Sequence, residues 1–255
     1  MFHKIGEHTW YLEPDARSDR PSLGYIRGEK LAFAADAGAS KNHVRLFYSC
    51  LEKDGLPLPD ITGISHYHWD HSYGAPYVHG ITLASDLCND HLKKESAYDW
   101  TPKAAEKRLK TGDDIWFCYC MRQIEYPDPA EIKVVPADIS VSGNITIDLG
   151  GVHVNVIYCA GPHSEDHLMF YVPEDRVLYI SDANTKDLFK NEWAFDAAHP
   201  ETLQDRIREI PHFVNRLAPF VNLMDGLDFE ICVPGHAEGL QSKAEVMAEM
   251  RKYLK

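Results

Sequence analysis

Short apolar stretches separated by turn-forming residues occupy the first 65 positions of the chain. They are rich in β-branched, aromatic or small apolar residues, a composition typical of β-strands. The predicted strands are Thr9–Glu13, Leu23–Arg27, Leu31–Asp36 and Ile61–Ser65. Between the last two, apolar residues recur on one side of a helix predicted over Lys41–Lys53, with Ser40 as its N-cap and Gly55 beyond its end.

The second half of the chain again has short apolar stretches separated by turn-forming residues, although it contains no internal sequence repeat. Several of its apolar runs are continuous, which is typical of strands buried at the centre of a sheet. The predicted strands are Ile145–Leu149, Val152–Ala160, Leu168–Val172, Arg176–Ser181 and Phe229–Val233. The predicted helices are Pro200–Leu217, interrupted or kinked at Pro211, and a closing helix over Gln241–Leu254. Strands and helices alternating in both halves predict sheet layers covered by helices.

The segment from about Asp86 to Pro136 lacks this alternation of strands and helices. Its aromatic residues stand among charged ones in a mixed helical pattern. One interpretation is a helical insertion that packs its aromatic side chains on the rest of the domain. The other is a lid or pocket wall, since the segment lies between two candidate ligand loops. In both interpretations it belongs to a single domain of residues 1–255.

Composition and charge limit the kinds of function that the protein can have. The chain has 255 residues, of which 44% are hydrophobic and 25% charged, and a net charge of −13. Such a surface repels phosphate backbones, so we expect a small-molecule substrate and no nucleic-acid partner. No apolar run reaches transmembrane length and no secretory signal opens the chain, so no membrane association is predicted. Six irregularly spaced cysteines then indicate reduced thiols in a cytoplasmic protein, and homo-oligomerisation is left open.

Four side chains that can bind metal fall within six residues of one another: His66, His68, Asp70 and His71. Imidazole nitrogens and carboxylate oxygens are ligands of zinc-type cations. In an extended segment, positions i and i+2 project to the same side, so His66 and His68 can chelate one ion. Asp70 and His71, after a turn of the chain, can face a second ion. A loop is therefore preferred to a helix through the whole cluster.

Three further ionisable residues stand alone at the ends of predicted strands, where a fold usually places chemistry. They are His163, Asp182 and His236. Each has an alternative explanation by itself, as a helix cap, a turn residue or a buried core histidine. Together with the cluster they make seven ligands, too many for one tetrahedral ion and suited to two ions that share a bridging group.

With these residues the chain resembles the metallo-β-lactamase superfamily, from Asp36 to His236 and with the complete His-x-His-x-Asp-His signature at 66–71. The resemblance implies an α/β (α+β) fold: a four-layer αβ/βα sandwich of two mixed β-sheets flanked by helices. It implies two divalent metal ions, with zinc expected and iron or manganese as alternatives. His66, His68 and His163 would hold the first metal. Asp70, His71 and His236 would hold the second, with Asp182 bridging the two.

Two departures from the family pattern lie around the third histidine. The usual Pro-Gly-His order is inverted, as Gly161-Pro162-His163, and a position that is often small is Asp166. His167, which follows, is either structural, a partner of a ligand or a substrate contact. Asp36 either supports a ligand histidine from behind or stabilises a turn.

The function that the resemblance implies is hydrolysis of a small-molecule ester, thioester, lactone, lactam or phosphodiester, with Asp70 as the catalytic proton carrier. The main alternative is an iron-dependent oxidoreductase related to flavo-diiron proteins or persulfide dioxygenases. A tRNA-processing nuclease would need a basic surface, which the composition does not provide. A non-catalytic relative would usually have lost ligands, whereas all seven are present.

Overall fold

Two β-sheets form the centre of the molecule in a computed structural model that describes residues 1–185, 214–237 and 239–254. The first sheet has seven strands in sequential order, antiparallel from β1 to β4 and parallel from β4 to β7. These strands are β1 (Phe2–Lys4), β2 (Thr9–Leu12), β3 (Leu23–Arg27), β4 (Ala32–Ala35), β5 (Ile61–Gly63), β6 (Ile81–Ser85) and β7 (Ile139–Val141).

The second sheet has six strands in the order β13-β12-β11-β10-β9-β8. Its pairs are antiparallel except for β11 and β12, which run parallel. The strands are β8 (Ile145–Asp148), β9 (His153–Tyr158), β10 (Leu168–Val172), β11 (Val177–Ser181), β12 (Ile231–Pro234) and β13 (Gln241–Ser242).

Helices cover the outer face of each sheet. In chain order they are α1 (Lys41–Lys53), α2 (Trp69–Ser72), α3 (Asp86–Ser96), α4 (Pro102–Thr111), α5 (Trp116–Glu125), α6 (Val214–Asp225) and α7 (Lys243–Arg251), within the described ranges. Short 3-10 helices occupy Ala75–Tyr77 and Pro129–Glu131. Ser40 caps α1 as predicted, because its side chain accepts hydrogen bonds from the backbone N–H groups of Asn42 and His43.

The main core lies between the two sheets. Phe33 of β4 and Phe170 of β10 meet there with ring centroids 5.3 Å apart, and both are fully buried. Burial of each such side chain stabilises the fold by about 1.5–3 kcal/mol. Gly63 lies between them, and a Cβ atom at this position would come within 2.5 Å of the Phe170 ring. The close approach of the sheets therefore depends on the absence of a side chain at residue 63.

Separate apolar clusters join the helices to the sheets. On the first sheet, Tyr25 and Ala34 pack on Phe47 and Leu51 of α1. Helices α6 and α7 cover the second sheet through a cluster that includes Leu217, Phe220, Val246 and Met250. The layers are helix, sheet, sheet and helix. The predicted αβ/βα sandwich is confirmed.

Several predicted element bounds were wrong. The helix predicted to end at Leu217 continues as α6 to Asp225, while its predicted start and the kink at Pro211 lie outside the described residues. Gln241 and Ser242 pair with β12 as a strand, so the closing helix begins at Lys243, where Ser242 and Glu245 form a capping box. The cluster at 66–71 is a loop only as far as His68, since Trp69–Ser72 is a helical turn.

Strand direction explains where the predicted ligands meet. Strands β4 and β5 are parallel, so Asp36 and the 66–71 cluster leave the first sheet at the same edge. In the second sheet, β9 and β11 are both antiparallel to β10, and β12 is parallel to β11. The residues that follow β9, β11 and β12 therefore also leave at one edge. A hydrogen bond of 2.7 Å from Leu168 N to the Ser65 carbonyl oxygen joins the two edges.

Candidate metal centre

The first group of candidate ligands is formed by His66, His68 and His163, whose ligand atoms lie within 4.8 Å of one another. His68 keeps the extended conformation predicted for this part of the loop, with φ −54° and ψ 144°. Its Nδ1 atom lies 2.9 Å from Nε2 of His163. Three imidazoles from two different sheets thus converge on one point, which suits a cation that accepts nitrogen ligands.

The second group consists of Asp70, His71, Asp182 and His236, again with ligand atoms within 4.8 Å of one another. Asp70 Oδ2 lies 3.0 Å from Nε2 of His71 and 3.0 Å from Nε2 of His236. The helical turn α2 produces this arrangement, because it turns Asp70 and His71 away from the direction of His66 and His68. The structure therefore brings all seven predicted ligands together in two neighbouring groups.

Asp182 links the two groups. Its Oδ2 atom lies 3.4 Å from Nε2 of His71, 3.3 Å from Nε2 of His236 and 3.7 Å from Nε2 of His163. A carboxylate at this position can contact a cation in either group, which is the property expected of a bridging ligand. Gly235 permits the arrangement, because a Cβ atom there would lie 2.0 Å from Asp182 Oδ1.

Unpaired buried atoms indicate that the donor set fits metal ions. His66 Nε2 and Asp182 Oδ1 are buried without a hydrogen-bond partner in the part of the chain that the structure describes. Leaving a buried polar atom unpaired costs about 1–3 kcal/mol, so such atoms in a native protein call for a partner. Both atoms belong to the convergent groups, and both are of the type that binds zinc, iron or manganese.

The two groups differ in their electrostatics. Burial, together with the neighbouring histidines, lowers the pKa of His66 and of His68 well below the ordinary value. Burial acts in the same direction on His71 and His236, but nearby carboxylates outweigh it and raise the pKa of both imidazoles well above the ordinary value. Burial thus favours the neutral forms of His66 and His68, which can bind a metal directly, whereas a metal bound by His71 and His236 would compete with protons.

Asp36 supports a ligand histidine from behind, one of its two predicted roles. Its Oδ2 atom accepts a hydrogen bond from His71 Nδ1 at 2.9 Å, and Oδ1 accepts one from the Ser65 backbone N–H at 2.8 Å. Its backbone has a left-handed φ of 70°, unusual for a residue with a side chain. A carboxylate in this position orients the imidazole so that Nε2 faces the ligand group.

The unusual residues after His163 are buried behind the ligands. The Asp166 carboxylate accepts a hydrogen bond from the Tyr67 backbone N–H at 2.8 Å and another from the Ser164 hydroxyl. It therefore ties the loop of His163 to the loop of His66 and His68. The His167 ring stacks on His66 with centroids 4.6 Å apart, and burial lowers the pKa of His167 to about 3.

The helical segment α3–α5 packs against the ligand-bearing loop. Its Phe117 and Tyr126 share an apolar cluster with Trp69 and Tyr73 of that loop. Arg108 of α4, 7% exposed, lies over the rings of Tyr98 and Trp100 at 4.8 and 4.6 Å. Phe117 and Tyr126 therefore pack on the ligand-bearing loop, which is what the first interpretation expects of aromatic residues in this segment. The second interpretation, a lid over the site, stays a prediction.

Sequence reasoning missed several residues around the site. Thr185 Oγ1 lies 2.8 Å from His163 Nδ1, and Asp19 Oδ1 lies 3.5 Å from His236 Nδ1. Ser65 and Ser181 lie beside Asp36. Ser65, Ser181 and Thr185 are within three positions of a predicted ligand, so adjacency to a ligand was a usable signal. Asp19 stands 47 positions before the nearest predicted ligand, and nothing in the sequence marks it.

An αβ/βα sandwich with two neighbouring groups of candidate metal ligands at one edge defines the class of this protein. The chain belongs to the metallo-beta-lactamase superfamily, whose family model matches residues 24–236. A comparison with curated proteins gave no match. Among the described residues, no helix combines the length and apolar character needed to cross a bilayer.

Metallo-beta-lactamases are among the solved structures similar to this one, at low sequence identity. DIM-1 is 14% identical, with 99% of this chain and 95% of that chain covered and a TM-score of 0.61. An enzyme from Pontibacter korlensis is 14% identical, with 98% and 97% covered and a TM-score of 0.61. A motif mutant of the Cronobacter sakazakii protein is 16% identical, with 99% and 94% covered and a TM-score of 0.63. At such identities the likeness concerns the fold alone.

Proposed function

We propose that the protein is a dinuclear metal-dependent hydrolase of a small molecule. The observation that carries the proposal is the position of Asp182, whose Oδ2 atom lies within 3.3–3.7 Å of imidazoles from both ligand groups. A shared carboxylate between two sets of nitrogen ligands suits a pair of ions better than one. Ions held there supply, when bound, a water of lowered pKa and positive charge for the oxygen of the bond to be cleaved.

Asp70 is the residue proposed to carry the proton. Its Oδ2 atom lies between His71 and His236, at 3.0 Å from each. Because these imidazoles stabilise the charged carboxylate against burial, the pKa of Asp70 is held below its ordinary value. An ionised carboxylate at this position can orient an attacking water and receive its proton.

Net charge and the residues around the site support a small molecule as the substrate, and the bond classes come from the family resemblance. A protein with a net charge of −13 is a poor partner for nucleic acid, and the aromatic side chains Tyr67 and Trp69 alternate with the ligands. We therefore propose a small-molecule ester, thioester, lactone, lactam or phosphodiester as the substrate. Chromogenic members of these five classes, assayed with zinc-loaded protein, identify the bond that is cleaved.

Two variants test the proposal directly. We expect His68→Ala and Asp182→Asn each to reduce bound metal from two ions per chain and to lower kcat/KM by at least about a hundredfold, since ligand and charge are both lost. Metal content is measured by elemental analysis and activity on the best substrate of the panel. His153→Ala is the matched control, because its ring pairs with Glu174 at the start of β9. Full activity in both His68→Ala and Asp182→Asn would contradict the proposal.

Metal identity separates hydrolysis from the oxidoreductase alternative. All donors in the two groups are nitrogen or oxygen atoms, which bind zinc and iron alike. Protein expressed without added metal is therefore analysed for both. Two zinc ions with substrate cleavage support the hydrolase, whereas iron with oxygen consumption supports the alternative.

A further inference from the structure

A continuous chain of hydrogen bonds runs behind the two ligand groups. His66 Nδ1 lies 3.0 Å from Ser65 Oγ, which lies 3.0 Å from Ser181 Oγ. Ser181 Oγ donates to Asp36 Oδ2 at 2.8 Å, the same oxygen that accepts from His71 Nδ1. The chain therefore joins a ligand of the first group to a ligand of the second without passing through the metal positions.

Counting protons fixes the direction of every bond in this chain. A carboxylate only accepts, so the Ser181 hydroxyl donates to Asp36. Its oxygen is then left to accept, and the Ser65 hydroxyl donates to it. The Ser65 oxygen in turn accepts, and the remaining donor is Nδ1–H of His66. A neutral imidazole has one N–H, so Nε2 of His66 keeps its lone pair.

Burial shields this chain of hydrogen bonds from water. Ser65, Ser181 and Asp36 are 0%, 5% and 4% exposed, so water has little access to take the place of a missing hydroxyl. Both Asp36 and Ser181 have a left-handed backbone, with φ of 70° and 51°. Residues held in such conformations persist where the surrounding contacts require them. Here the contacts are the bonds between the two residues and to His71.

We propose that Ser65 and Ser181 are positioning residues that connect the two metal positions and hold His66 as its Nδ1–H tautomer. Nε2 of His66, buried and unpaired among the described residues, is then always available as a ligand. The inference rests on the proposed metal sites but not on turnover. Its particular consequence is that Ser181, which is not hydrogen-bonded to His66, governs the tautomer of that ring through Ser65.

The direct test is the tautomer of His66 in metal-free protein, read from the nitrogen chemical shifts of histidine by NMR. The His66 signals are assigned as those missing from a His66→Gln variant. We expect Nδ1 to be protonated in the unmodified chain. In Ser65→Ala and in Ser181→Ala we expect a mixture of both tautomers. Ser22→Ala is the matched control, because this buried hydroxyl donates to the Pro234 carbonyl oxygen, outside the chain of bonds.

Zinc affinity provides the second readout. We expect Ser65→Ala to weaken binding at the first group about tenfold, a size typical of residues that orient metal ligands. Once Ser65 is absent, Ser181 has no path to His66, so the double variant should bind at this group no more weakly than Ser65→Ala. If the two hydroxyls acted only through independent packing effects, the losses of zinc affinity in the two single variants would multiply in the double variant.

Three results would overturn the inference: an Nε2–H tautomer of His66 in the unmodified protein, an unchanged tautomer in Ser181→Ala, or affinity losses that multiply. Absence of zinc binding by the unmodified chain would overturn the proposed function as well. Zinc binding without cleavage of any substrate would count against the proposed function alone, because the tautomer measurement needs no turnover.

Discussion

Individual histidines of the candidate site have pKa values shifted in opposite directions. His66 and His68 have a lowered pKa because burial disfavours their charged forms. His71 and His236 have a raised pKa because Asp70, Asp36, Asp182 and Asp19 outweigh the effect of burial. Metal binds the neutral imidazole, so a residue with a raised pKa must first lose its proton.

We expect zinc to leave the second group first as the pH falls. Because the pKa of His71 and that of His236 are raised, a metal that binds there competes with protons, so we expect binding to release protons and to strengthen as the pH rises. In the first group, His66 and His68 have a lowered pKa, so this group should keep its metal to lower pH. Calorimetric titration in two buffers with different ionisation enthalpies measures the released protons. Equal acid sensitivity of both ions, with no proton release, would contradict this expectation.

At the scale of secondary structure, the separation of the two sheets is set by residue 63. We expect Gly63→Ala to destabilise the fold by about 1–3 kcal/mol, because the added methyl group overpacks the core between the sheets. The contact is with Phe170, whose ring would lie 2.5 Å from the new Cβ atom. Urea unfolding followed by circular dichroism measures the change.

Gly143→Ala is the control for this substitution, because a Cβ atom at residue 143 meets nothing within 4 Å. Its effect should stay within about 0.5 kcal/mol. If both variants unfold at the same urea concentration, the close approach of the sheets does not depend on the absence of a side chain at residue 63.

Elements with strong local signals were predictable from sequence. The cap at Ser40 and the apolar side of α1 were sufficient for that helix, and continuous apolar runs were sufficient for β10 and β11. Short strands were missed because they depend on partners rather than on composition. Phe2–Lys4 pairs with β2 at the sheet edge, and Ile139–Val141 pairs with β6 after a long helical segment.

The convergence of the seven candidate ligands was more predictable than the bounds of the elements around them. Histidine and aspartate at 66–71 are informative because their side chains carry chemistry at a fixed spacing. The end of the loop at Trp69 was not predictable, since a helical turn of four residues has almost no periodicity. The contact of Asp19 was not predictable because it depends on which segments become neighbours in the fold, and for the same reason the sequence left two roles open for Asp36.

Across the whole molecule, metal binding and folding should be coupled. The seven ligands come from loops that follow β5, β9, β11 and β12, so ions bound there would connect both sheets. We expect a metal-free sample to have a lower Tm than a zinc-loaded one. A ligand present at a hundred times its Kd adds about 2.7 kcal/mol to the free energy of unfolding.

Differential scanning calorimetry with and without a chelator measures this coupling. His68→Ala should show a smaller zinc-dependent rise in Tm than the unmodified chain, whereas His153→Ala, at the opposite end of β9 from the site, should show the full rise. An identical Tm in the zinc-loaded and chelated samples would contradict the coupling.

The left-handed backbones of Asp36 and Ser181 have a consequence for engineering this protein. Each such conformation costs a residue with a side chain about 1–3 kcal/mol, and glycine would largely avoid that cost. Glycine at either position would also remove the carboxylate or the hydroxyl to which buried neighbours bond, and each buried donor left unpaired costs about 1–3 kcal/mol. A directed-evolution campaign for heat resistance should therefore gain little from glycine at residue 36 or residue 181.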